Sequence, residues 1–91
     1  MIKQLEIIIS GRVQGIGYRA FAMRTAESCN IRGSVRNLAD GRVKILAIGE
    51  EESMERFISL LKKGPTFSLV RDLTINELDT TEDYKEFRIE Y

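Results

Sequence analysis

The spacing of apolar residues along this chain switches repeatedly between two and three-to-four, and few architectures satisfy such an order. Leu5, Ile7 and Ile9 share one side of an extended run while Gln4, Glu6 and Ser10 share the other, with Ile8 as the apolar exception. Successive side chains of a strand point to opposite faces, so Met1 to Ser10 reads as a half-buried strand. Tyr18, Phe21, Ala22, Thr25, Ala26 and Cys29 then recur at the spacing of a single helical stripe. Asn30 is expected to end this helix in the left-handed conformation that few other non-glycine residues adopt easily. Period two returns over Arg32 to Leu38 and again over Arg42 to Ile48, with Ala39, Asp40 and Gly41 as the tight turn of a hairpin.

The second helix carries the clearest signals. Glu50, Glu51 and Glu52 suit the positive end of its dipole, Met54, Phe57, Ile58 and Leu61 form its buried stripe, and Lys62 and Lys63 suit its negative end. Gly64 and Pro65, the one proline, terminate it. A fourth strand is expected over Leu69 to Leu78, then a polar turn across Asp79 to Asp83, then a short strand through Phe87, Ile89 and Tyr91. The order is βαββαβ with an extra C-terminal strand. Each helix has one apolar face, so both can cover one side of a single antiparallel sheet, an α+β sandwich of the ferredoxin-like class.

At 91 residues the chain suits one domain, 1–91, because a chain of this size buries only roughly 60 to 65% of its unfolded surface and cannot fill two cores. No apolar stretch approaches the roughly 20 residues of a membrane span, and the N-terminus is patterned as a strand rather than a signal peptide. The cytoplasm is therefore the expected location. One Cys and no His argue against an internal disulfide, a zinc site or a paired-thiol metal chaperone; neither metal nor cofactor is expected. Residues 1–48 hold eight basic side chains against three acidic ones, a net of +5, and residues 49–91 carry the opposite, −5. Six of the nine arginines lie between positions 12 and 42, and the forked guanidinium suits phosphate or carboxylate. With an overall charge of zero, a small anion is a better partner than a nucleic acid.

The stretch GRVQGIGYR, Gly11 to Arg19, joins the first strand to the first helix. Gly11, Gly15 and Gly17 permit positive φ and leave the backbone uncovered, so that the N–H groups of Gln14, Gly15, Ile16, Gly17, Tyr18 and Arg19 can converge on an anion. The helix opening at Tyr18 adds its dipole, and the Arg19 side chain can fold back over the same oxygens. Neither a Walker A loop nor the dinucleotide-binding spacing is present, and the pattern alone leaves anion binding and simple chain turning both open. Asn37 by itself reads as a residue bonding its own backbone before a turn. Period two nevertheless places it on the face of Val35, so it can reach the loop if Val35 packs under the helices. Cys29 reads as a buried structural thiol, Tyr18 as a packing residue, and Arg12 and Arg36 as solvated charges.

GRVQGIGYR, followed by an Ala-containing helix and then by GSVRNLADGRVKILAIGEEESMERFISLLKKGP, resembles the acylphosphatase family over nearly the whole chain. The resemblance implies a βαββαβ sandwich that hydrolyses a carboxyl phosphate to carboxylate and inorganic phosphate. It implies that the glycine loop and Arg19 hold the phosphate, and that Asn37 positions the attacking water. A carboxylate leaves without protonation, so no acid such as His is needed, and neither is a metal. The expected partner is a small-molecule acyl phosphate, with no nucleic acid and no membrane, and the expected state is a monomer. Ser34 stands where the family often has an aromatic residue, Asn30 where it often has glycine, and TFSLVRDLTINEL after Pro65 departs further. A non-catalytic anion-binding module on the same fold is the alternative. An RNA-recognition module would need exposed aromatic residues that Arg42 to Ile48 does not offer.

Overall fold

The computed structural model describes residues 1–79 and 83–91; most of the polar turn expected across Asp79 to Asp83 thus lies outside the described residues. The elements run β1 (Ile2–Arg12), α1 (Tyr18–Ser28), β2 (Arg32–Asn37), β3 (Val43–Glu50), α2 (Glu51–Lys63), β4 (Leu69–Glu77) and β5 (Phe87–Glu90). The strands form one sheet in the order β4-β1-β3-β2-β5. β3 sits between β1 and β2, so the β1–α1–β2 connection steps across a strand, the split crossover of ferredoxin-like folds.

Four strands pair antiparallel as the sequence suggests, but β5 runs parallel to β2, with Val35 opposite Ile89 and Arg36 opposite Glu90. The sheet is therefore mixed. β4 and β5 occupy opposite edges, so the chain after β4 returns at the far side and enters alongside β2 in the same direction. The hairpin strands also shift from the expected bounds: Leu38 and Arg42 leave the ladder to close the turn, and β3 continues through Glu50.

Alternation divides the sheet cleanly. Ile7, Ile9, Val35, Val43 and Ile45 are buried against the helices, as are Ala22, Ala26, Phe57 and Leu61 from α1 and α2. The Phe57 and Phe87 rings meet nearly edge to face at 6.1 Å between centroids, an arrangement that their quadrupoles favour. Asn30 adopts φ 58° after the C-cap residue Cys29, and the Ile31 and Asn30 N–H groups donate to the Ala26 and Glu27 carbonyls at 2.8 and 3.3 Å. This is the paired bonding of a Schellman ending, so Asn does here what glycine does in many helices.

Gly11 is reassigned. Rather than belonging to the anion loop it lies in β1 opposite Val70, where the β1–β4 register shifts after Ser10. At φ 129° a Cβ would collide with the Leu69 carbonyl oxygen, so this glycine permits a β-bulge. Ser34 lies on the face of the sheet away from the helices, 3% exposed, beside a recess that it shares with Arg36, Lys44 and Tyr84. The missing aromatic residue therefore belongs to the far side from Asn37.

Candidate active site

Gly15 and Gly17 both take positive φ, 74° and 81°, and Gly17 is the N-cap of α1. Helices usually place a Ser, Thr, Asp or Asn there to accept an orphan N–H. α1 has no side-chain cap and no acidic residue in its first turn. The contrast with α2 is direct, because Glu51 and Glu52 stand in its first turn and Lys62 and Lys63 in its last. Among the described residues, none of the N–H groups from Gln14 through Ala20 donates to a protein acceptor; the first intrahelical bond is Phe21 N–H to the Gly17 carbonyl at 3.0 Å. Donors without protein acceptors at an uncompensated helix N-terminus are electrostatically suited to a negative charge.

This loop closes one wall of a cavity of about 160 Å³, which Gly15, Gly17, Arg19 and Asn37 share with Ile89 and Tyr91. Liquid water occupies about 30 Å³ per molecule, so the space suits a phosphoryl group with a water beside it. Arg19 comes from the first turn of α1. Its Nη1 donates to the Glu90 carbonyl at 3.3 Å, and its guanidinium lies 4.7 Å from the centre of the Tyr91 ring. The arginine is thus held at the cavity rim by the last strand. Asn37, the final residue of β2, reaches the cavity on the same face as the fully buried Val35. Its Oδ1 is buried and finds no donor among the described residues.

The remaining residues of the loop have structural tasks. The Tyr18 hydroxyl donates to the Leu61 carbonyl at 2.8 Å and ties α1 to the end of α2; burial pushes the phenol well above its ordinary pKa. The Gln14 carboxamide reaches the β2–β3 turn, as described below. Arg12 and Arg36 are exposed and do not line the cavity, and Cys29 is buried at the other end of α1. Sequence reasoning missed the contribution of β5. The alternation of Phe87, Ile89 and Tyr91 revealed a strand, but no local signal told that it would lie beside Asn37 and support Arg19.

Comparison with known proteins finds similar sequences and structures. The acylphosphatase family model matches residues 5–89. The chain is 44% identical over 87 residues to an acylphosphatase of Archaeoglobus fulgidus, a match covering 96% of this chain and 97% of that one. The crystal structure of acylphosphatase from Bacillus subtilis superposes with a TM-score of 0.94 at 41% identity, covering 100% of both chains. A segment of full-length HypF, crystallised in a phosphate- and nucleotide-bound form, is similar at a TM-score of 0.88 and 32% identity; there the match covers 100% of this chain but 12% of HypF.

Proposed function

The chain belongs to the acylphosphatase family, and on that premise we propose that it hydrolyses small acyl phosphates without a metal, through the glycine loop, Arg19 and Asn37. The observation that carries this reading is the run of N–H groups from Gln14 to Ala20 that find no acceptor among the described residues, at an uncapped helix end whose Gly15, Gly17, Tyr18, Arg19 and Ala20 line one cavity with Asn37. The amides of Gln14, Gly15, Ile16, Gly17, Tyr18 and Arg19, with the Arg19 guanidinium, take the phosphoryl oxygens. Their positions are fixed before charge develops, which is where such donors contribute most.

Water attacks phosphorus in line with the bond to the acyl oxygen. That bond breaks, its electron pair leaves with the carboxylate, and a proton of the water passes to a phosphoryl oxygen, giving inorganic phosphate. The orphan Oδ1 of Asn37 accepts a hydrogen bond from this water and aims its lone pair at phosphorus. Because the carboxylate needs no proton, no titrating acid takes part.

Phosphate release from benzoyl phosphate tests the reading, with and without chelator. Arg19→Gln and Asn37→Ala should each lower turnover by roughly 10²- to 10³-fold, and chelator should leave the wild type unaffected. Full activity in both variants would remove the mechanism. Phosphate affinity without turnover in the wild type would favour the non-catalytic module instead.

A further inference from the structure

The side chain of Gln14 does not line the cavity. Its Nε2 donates to the Leu38 carbonyl at 2.8 Å and to the Arg42 carbonyl at 2.9 Å. These are the two ends of the β2–β3 turn, themselves joined by the Leu38 N–H to the Arg42 carbonyl at 2.7 Å, with the Gly41 N–H returning to Leu38 at 3.2 Å. Both partners of the carboxamide are acceptors, so only its NH2 group fits there, and both of its hydrogens are used. Asn37 immediately precedes Leu38, and Gly15 immediately follows Gln14.

We propose that Gln14 is a positioning residue, whose carboxamide sets the distance between the phosphate-holding loop and the water-orienting Asn37. This rests on the roles assigned above to the loop and to Asn37. The loop and the hairpin are otherwise separate parts of the chain, and each can drift against the other. One nitrogen bonded to both ends of the turn fixes the strand end that carries Asn37 relative to the backbone that carries the anion. Displacing a reacting group by about 1 Å can cost about 10²-fold in rate, so a contact outside the cavity can govern turnover. Glutamate cannot replace it, because a carboxylate would set acceptors against two carbonyl oxygens.

The test is a double-mutant cycle. Gln14→Met keeps much of the volume and removes the donors. It should lower kcat by roughly 10- to 100-fold, while the inhibition constant of inorganic phosphate stays within about threefold, because the anion-holding amides and Arg19 remain. Gln14→Glu should lose at least as much turnover. In an Asn37→Ala background the same Gln14→Met change should cost less than about twofold, since the group it positions is gone. Equal losses in both backgrounds would overturn the proposal, as would a phosphate constant that rises as far as kcat falls. Loss of the folded state in Gln14→Met would assign the amide to stability and overturn it too. An Asn37→Ala protein with full activity would instead fail the reading on which the proposal rests.

Discussion

Gly17 occupies the place where most helices carry a capping side chain, and it holds a left-handed backbone there. A Cβ added there would meet nothing within 4 Å, so the requirement is conformational rather than steric. Gly17→Ala should therefore destabilise the protein by about 1–2 kcal/mol, the cost of a left-handed alanine, and urea unfolding would measure it. Gly17→Asn should recover most of that loss, because Asn tolerates this region, as it does at Asn30. An alanine variant as stable as the wild type would mean that the loop relaxes freely. At this scale the sequence was readable where a residue type carries its own constraint. The glycines announced positive φ, and the position of Arg19 in the first turn of α1 announced that it could reach over the loop. Gln14 was read as a backbone donor only, because its side-chain partners lie 24 and 28 residues away and leave no local trace.

The β2–β3 hairpin brings Asn37 to the cavity and holds it there by bonds made outside the cavity. Asp40 accepts the Arg42 N–H at 3.1 Å and the Arg42 Nε–H at 2.8 Å, so the turn is held by its own side chains as well as by Gln14's two bonds. The backbone N–H of Arg42 is the main reason that the Asp40 carboxyl sits below its ordinary pKa, with the guanidinium adding to it. A depressed pKa means that the folded state prefers the carboxylate. Its contribution is complete above the unfolded value of about 3.9 and disappears as pH falls through the lower folded value. Asp40→Ala should lower the melting temperature at pH 7, and the gap to wild type should close as the pH falls through the lowered folded value. A gap independent of pH would assign the effect to the backbone of the turn. Helices and antiparallel strands were legible in the sequence because each is written in its own periodicity, and the Asn30 ending because Asn is one of the few residues at ease with positive φ. The parallel pairing of β5 was not, since a short alternating run does not encode which neighbour it joins or in which direction.

Across the whole molecule, the cavity lies at one end of the sandwich, where the β1–α1 loop, the end of β2 and the end of β5 meet above the apolar core. No helix among the described residues is long and apolar enough to cross a membrane. The ion pairs among the described residues are at least partly solvent-exposed, and such pairs are worth little each. Stability thus rests on the apolar layer between sheet and helices, and α1 belongs to that layer along its whole length. One consequence of the proposed site concerns Cys29, the single thiol, 3% exposed at the far end of the helix whose beginning lines the cavity. A thiol reagent must wait for the core to open, and anything bound at the opposite tip makes that opening rarer by mass action. Inorganic phosphate at about 100 times its dissociation constant should slow labelling of Cys29 about 100-fold under denaturant-free conditions, whereas an unchanged rate would mean that the last turn of α1 frays by itself. The cysteine that takes no part in the chemistry is then a remote gauge of whether the phosphate seat is filled.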